Sequence, residues 1–444
     1  ERTDYLLTRP DVDPDKIGVT GISGGGAATF WIAAADDRVK VAAAVSGMSD
    51  LESYVKNKVV NGHCDCMFLY NTYQWDWTTI AALVAPRPLL FANSDNDGIF
   101  PMDGNRRIIA KLRDCYRMFP KPRDESSNPA GAGAVNLVEE YVSVGGHDYR
   151  PDLRIAIFKF LNKHLKGDTT TPVEDSAKYT PLPGKDLRVF PTDADVPKDA
   201  INARIDETFV MRGQPELPTE TRFAAWRRAR MSELLNRSFQ SLLDAEMETI
   251  VPFTDQTLLV GKGKGPAPLV VMDRKDFENI RDFAVFARQY QDRDSAAFLH
   301  FADELVTSTK KSPPNYAERS QVLLGYTMDK HRVYHLMRLA QATARYEATQ
   351  SWNHRIVGKG SAGILAAYAA LFEPSIKEVV LIDPPKSHKE GPHFLGILRV
   401  LDIPEALGLL APTPLTIIGG KDATFDRTAE IYRLAGAGDK LKRK

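Results

Sequence analysis

A serine set between glycines, where a β-type run meets an alanine-rich stretch, is the first place this chain could do chemistry. Val19-Thr20-Gly21-Ile22-Ser23-Gly24-Gly25-Gly26 fits the G-x-S-x-G pattern. In that pattern a tight strand-to-helix turn forces the serine into strained dihedrals, and small residues at minus two and plus two let the backbone close. The hydroxyl then stands at a helix N-terminus, where backbone N–H groups and the dipole favour developing negative charge. A plain glycine-rich turn or a phosphate cradle is the competing reading. A Walker A loop needs a following Lys-Ser/Thr, which is absent, and no G-x-G-x-x-G fits the register.

A serine hydroxyl is a poor nucleophile until a histidine takes its proton. The histidine in turn needs a carboxylate to fix its tautomer and stabilise its charge. The elbow predicts these partners in the order Ser, Asp or Glu, His. The acid belongs on the loop Asn93-Ser94-Asp95-Asn96-Asp97-Gly98-Ile99-Phe100-Pro101. Asp97 is preferred because it stands four residues before the proline that opens the next helix. Asp95 competes with it, and either could be a turn-forming or capping aspartate. The base belongs after the last strand, where Glu139–Val144 runs into Gly145-Gly146-His147-Asp148. His164 falls among lysines in the closing helix and reads as a surface residue. The expected set is Ser23, Asp97 and His147.

Asn61–Trp77 packs six aromatics, counting His63, with Cys64 and Cys66 into seventeen residues. Aromatic faces suit sugar rings or acyl groups, so a pocket wall and plain packing are both open readings. His63, Cys64, Asp65 and Cys66 do not make a metal site by spacing: a single residue separates the cysteines and no second Cys/His cluster exists. No metal is expected.

The elements that must position these residues alternate. Lys16–Thr20, Lys40–Ser46, Pro88–Ala92 and Glu139–Val144 are β-type runs. Ala27–Ala35, Met102–Arg113 and Asp152–Leu165 are helix-length stretches between them. That alternation predicts a parallel sheet with helices on both faces. Residues 168–200 carry five prolines and read as an extended linker, and Ser126–Ala134 reads as a surface loop. Thr221–Met247 is a predicted helix whose Arg227, Arg228 and Arg230 read as a solvated face. The alternation then resumes with Pro268–Met272, Ala297–Phe301, His331–Ala348, His354–Val357, Lys377–Ile382 and Pro414–Ile418.

The later segments repeat the earlier ones. Val19–Ala28 aligns with Ile356–Leu365, and Ala85-Pro86-Arg87-Pro88-Leu89 with Ala411-Pro412-Thr413-Pro414-Leu415. Two copies of one α/β unit, one behind the other, is the reading. The copy has Gly360 where Ser23 stands, Ser361 one residue late, and Asp422 at the acid position. The chain reaches Lys444 with no further β-type run, so the second unit reads as non-catalytic. The domain expectation is 1–168 for the catalytic unit, 169–220 for a linker and 221–444 for the copy.

Composition sets outer limits. With 58 Lys+Arg against 58 Asp+Glu, 43% hydrophobic and 26% charged residues, disordered and collagenous classes are excluded. Balanced charge removes the long-range pull toward nucleic acid or acidic membranes. The apolar run Ala362–Phe372 is about half the length of a membrane span. Three cysteines make no disulfide scaffold and fit either redox compartment. The opening at Glu1, without Met or signal peptide, raises the expectation of a removed segment or a fragment.

Arg9–Lys166, with its DPDKIGVTGISGGGAATFWIAAADDRV core, resembles the α/β-hydrolase superfamily, in particular acetyl xylan esterase-like relatives of the prolyl-oligopeptidase-type hydrolases. The resemblance implies an α/β-hydrolase fold in tandem arrangement, with the first unit N-terminally incomplete. It implies Ser23 as nucleophile, Asp97 as acid, His147 as base and the Gly24 N–H as oxyanion donor. Against the family pattern, the loop bearing a second oxyanion donor is missing, a loss worth roughly 10²–10³ in rate. The implied activity is carboxylic ester hydrolysis through an acyl-enzyme, on an acetylated polysaccharide, with no cofactor and a secreted or periplasmic setting. Alternatives are a serine peptidase of the prolyl-oligopeptidase type and a silent scaffold or carbohydrate-binding fragment. Neither nucleic-acid nor membrane partners are expected, and oligomeric state is left open.

Overall fold

In the computed structural model, the described residues are 2–57, 70–120, 137–176, 178–240, 242, 257–260, 267–273, 286, 289, 297–302, 316–345 and 352–444. The chain divides into two compact units, Glu1–Pro197 with Thr307–Leu324, and Lys198–Val306 with Gly325–Lys444.

The first unit is built on four strands, β1 (Gly18–Ile22), β2 (Val41–Val45), β3 (Leu89–Ser94) and β4 (Val138–Ser143), paired parallel in the order β1-β2-β3-β4. Every residue of β2 and β3 is buried. That explains the apolar character of β2 and of Leu89–Ala92 in β3, since a central parallel strand has both faces covered. The period of two divides their side chains between two cores. Ala42, Ala44, Leu89 and Phe91 pack with Phe30, Trp77, Ile108 and Leu112 on one side. Val41, Ala43, Val45, Leu90 and Ala92 meet Leu153, Ile157 and Phe160 on the other. β4 closes the edge: Val138 and Ser143 at its ends are buried, and between them partly buried and exposed residues alternate.

The second unit holds β5 (Thr257–Val260), β6 (Ala267–Asp273), β7 (Ala297–Ala302), β8 (Trp352–Lys359), β9 (Glu378–Ile382), β10 (Leu415–Ile418) and β11 (Leu441–Arg443). Their order is β11-β10-β9-β8-β6-β7-β5, all pairs parallel except β5 with β7. Both sheets are parallel or nearly so, and the pair is consistent with a tandem arrangement of two α/β units.

The backbone repeats in detail. Lys40 N–H donates to Ile17 O at 2.8 Å, and Lys377 N–H to His354 O at 2.7 Å. Ala42 N–H meets Pro88 O and Val379 N–H meets Pro414 O, each at 3.0 Å. Ser46 N–H meets Ala92 O and Asp383 N–H meets Ile418 O, each at 2.9 Å. Tyr116 and Tyr432 each send a hydroxyl to a backbone carbonyl, of Arg87 and Thr413, at 2.7 Å.

Three expectations change. The chain does supply a strand beyond β10: β11 pairs Leu415↔Leu441 as β4 pairs Leu89↔Val138. Its Leu-Lys-Arg sequence carries no apolar signal, because an edge strand needs little burial. Arg227 is not on a solvated face: it is half-buried and its Nε donates to Leu409 O at 2.8 Å. Desolvation lowers its pKa. The helix that carries it, Phe223–Arg237, ends ten residues before Met247. Residues 126–134 lie outside the described residues.

Candidate active site

Ser23 joins β1 to the helix Gly24–Ala35 with φ 57° and ψ −120°. A non-glycine residue in that region stores strain. What forces it is crowding. A Cβ on Gly21 would fall 2.6 Å from the Gly25 carbonyl carbon, and one on Gly26 would fall 2.5 Å from Val45 O. A Cβ on Gly25, the plus-two glycine, would meet nothing within 4 Å. Closure therefore depends on Gly21 and on Gly26, one position later than the motif assigns. The Ser23 backbone is spent, N–H on Val45 O at 3.0 Å and C=O on Ala27 N–H at 2.9 Å. Its side chain makes no cap hydrogen bond, so the hydroxyl is left for other use. Gly24 opens the helix, where the first N–H groups have no intrahelical partner.

Asp97 follows β3. Its side chain is fully buried, and Oδ1 accepts from the N–H groups of Ile99 at 2.9 Å and Phe100 at 3.0 Å. Oδ2 is thereby aimed at His147 Nδ1, 2.8 Å away. His147 follows β4, and its ring lies against Phe100 with centroids 5.5 Å apart. A carboxylate on Nδ1 places the proton there and leaves Nε2 as the basic nitrogen. Asp95, the competing acid, does a different job: its Oδ1 accepts from Gly145 N–H at 2.8 Å and ties the two loops together.

The loops after β1, β3 and β4 leave the same carboxyl edge of a parallel sheet, which is where such folds gather reactive groups. Asp97 and His147 are brought into direct contact. Ser23 stands on the same edge with no hydrogen bond from its hydroxyl to the imidazole.

His164 is not a surface residue. Its side chain is 8% exposed, packs on the Phe160 ring at 4.6 Å and meets Glu139 Oε1 at 3.1 Å. Four of the aromatics in Asn61–Trp77 are described. Trp77 is buried edge-on against Trp31. Tyr70, Tyr73 and Trp75 are exposed, the last two stacked at 5.4 Å. His63, Cys64, Asp65 and Cys66 lie outside the described residues. Among the described residues no cluster of three metal-ligating side chains exists, and no helix is long and apolar enough to cross a membrane. A cavity of 530 Å³ runs beside β4, lined by Tyr141, Asp152, Ile155 and Lys159, and includes none of the three candidate residues.

Arg150 was not singled out by sequence, since an arginine beside a helix-opening proline reads as solvated. Its guanidinium reaches Ser94 Oγ, Ser143 Oγ and Gly146 O.

The second unit keeps the turn and changes the side chains. Gly360, with φ 55°, occupies the place of Ser23. Asp422 Oδ1 accepts from Thr424 N–H at 2.9 Å, and Oδ2 meets Lys386 Nζ at 2.5 Å. The Lys386 ion pair and the Thr424 hydrogen bonds hold the Asp422 carboxyl well below the usual carboxylate range.

Residues 1–126 match the prolyl oligopeptidase family. YtaP of Bacillus subtilis (strain 168), a hydrolase by name, is 30% identical over 163 residues, 36% of this chain and 50% of that protein. The chain thus spans about half the length of that curated relative. A glucuronoyl esterase from Solibacter usitatus is 22% identical with a TM-score of 0.30, covering 37% of this chain and 46% of that one. A Bacteroides fragilis protein named among the acetyl xylan esterases is 12% identical with a TM-score of 0.33, covering 52% and 77%. Pyrococcus horikoshii acylaminoacyl peptidase is 20% identical with a TM-score of 0.27, covering 37% and 26%.

Proposed function

We propose that the first unit is a serine hydrolase that cleaves carboxylic esters through an acyl-enzyme. The observation that carries this reading is the buried Asp97 bonded to His147, on the sheet edge where Ser23 sits with positive φ and an unspent hydroxyl. His147 Nε2 takes the proton of Ser23 Oγ as it attacks the ester carbonyl. Gly24 N–H donates to the developing oxyanion, the imidazolium protonates the leaving alcohol, and water activated by His147 releases the acid. Asp97 holds the tautomer and offsets the imidazolium charge. Serine–imidazole hydrogen bonds are often long in free enzymes and tighten with substrate bound.

The substrate class we assign is an acylated polysaccharide. It is supported by the exposed stacked faces of Tyr73 and Trp75, which match the C–H face of a sugar ring. Release of acetate from acetylated xylan, lost in Ser23→Ala, is the expected result. Wild-type turnover of an activated acetyl ester by Ser23→Ala would end the assignment.

The prolyl oligopeptidase match over residues 1–126 favours a second reading, a peptidase using the same three residues. Cleavage of dipeptidyl amides at a kcat/KM above that for acetyl esters would select it.

A further inference from the structure

We propose that Arg150 is a positioning residue for His147, an inference that rests on the hydrolase reading above. The loop carrying His147 is intrinsically loose. It contains Gly145 at φ +136° and Gly146, and glycine pairs carry the largest backbone entropy. Three hydrogen bonds counter this. Asp95 Oδ1 accepts from Gly145 N–H at 2.8 Å, and Asn96 N–H donates to Gly145 O at 3.1 Å. Arg150 Nη1 donates to Gly146 O at 2.8 Å, the carbonyl of the peptide that enters His147. Of the three, only the arginine bond grips the peptide adjoining the imidazole residue.

The guanidinium is itself held in a built seat. Nε donates to Ser143 Oγ at 2.9 Å and Nη2 to Ser94 Oγ at 2.7 Å. Ser94 and Ser143 are the register partners that end β3 and β4, and both are buried. One planar fork therefore reads the ends of two strands and the loop carbonyl together, which a lysine ammonium on a flexible stem cannot do. Among the described residues the nearest carboxylate, Asp152 Oδ1, stands 4.0 Å from Nε, outside hydrogen-bond reach. The seat also explains Gly145: a Cβ there would lie 3.0 Å from Arg150 Nη1.

The chemistry follows from orientation. If the Gly146 carbonyl is released, the imidazole loses its fixed approach, and misplacement by about 1 Å costs roughly 10²-fold. We expect Arg150→Ala to lower kcat on an acetyl ester by roughly 10–10²-fold with KM changed less than about twofold. The downfield Nδ1–H resonance of His147 should broaden or vanish, and millimolar guanidinium should restore part of kcat. Arg150→Lys should fall between wild type and Arg150→Ala, and serves if the alanine variant folds poorly. Wild-type kcat with an unchanged resonance in either variant overturns the inference. So does an equal loss in every variant that guanidinium does not relieve, since that marks a merely structural role. His147→Ala and Ser23→Ala, run alongside, separate the two readings. If they retain activity the hydrolase assignment falls; if they are inactive while Arg150→Ala is fully active, only the positioning role falls.

Discussion

The two elbows share a positive φ and differ in the side chains set around it. Ser23 at φ 57° and Gly360 at φ 55° occupy matching turns between a parallel strand and a helix. Glycine reaches that conformation without steric cost, whereas serine holds it under strain. The acid loops diverge similarly. Asp97 and Asp422 both accept backbone N–H groups two residues on, but one turns its second oxygen to an imidazole and the other to an ammonium. An ammonium already paired with the carboxylate cannot serve as the neutral proton acceptor a serine needs. The frame is common to both units, so function must reside in a few side chains at the carboxyl edge.

The sharpest way to break that contrast is to remove the side chains. Ser23→Ala and His147→Ala should each lower kcat for an acetyl ester by at least about 10⁴-fold, and Asp97→Asn by about 10⁴-fold through the wrong tautomer. A fluorophosphonate probe should label Ser23 in the wild type and nothing in the second unit. Labelling at Ser361 would show that the copy is armed and would erase the distinction drawn above.

The histidines differ too. His147 has a carboxylate partner and 23% of its side chain exposed. His331 in the second unit is 1% exposed, and neither ring nitrogen has a hydrogen-bond partner among the described residues. Burial, with Lys330 adding to it, lowers its pKa from 6.5 to about 4. The unfolded chain therefore binds this proton more readily than the folded one, so stability falls as pH drops from about 6.5 to about 4. The full span corresponds to on the order of 3 kcal/mol at about 1.4 kcal/mol per unit. Urea unfolding followed in wild type and His331→Phe should show the variant losing less stability between pH 7 and pH 4. Identical pH slopes would remove His331 from the account.

The sequence order of Ser23, Asp97 and His147 was readable because each follows a strand whose apolar run is itself readable. β2 and β3 announce themselves through residues buried on both faces. β11 did not, since three edge residues with two charges carry no period. His164 and Arg227 were misread for one reason: a charged or polar side chain next to like neighbours reads as solvated until its partner, Glu139 or the Leu409 carbonyl, is located by the fold. Arg150 belongs to the same class. Its three acceptors lie 4, 7 and 56 residues away in sequence, so only the sheet register assembles them.

The smallest expected effect tests the elbow comparison most directly, by exchanging its two residues. Ser23→Gly relieves the positive-φ strain, worth about 1–2 kcal/mol, but adds the entropy of a glycine to the unfolded chain, about 0.5–1 kcal/mol. The first unit should therefore gain up to about 1.5 kcal/mol while losing its hydrolase activity. Gly360→Ser runs the balance backwards and should cost the second unit a similar amount. The new hydroxyl would have no histidine held by Asp422, whose carboxylate is paired with Lys386, and should stay unreactive toward fluorophosphonate. Denaturant midpoints of the two variants should shift in opposite directions. A gain in stability from Gly360→Ser, or none from Ser23→Gly, would mean the two turns are not under equivalent backbone constraint and that their matching φ values conceal different surroundings.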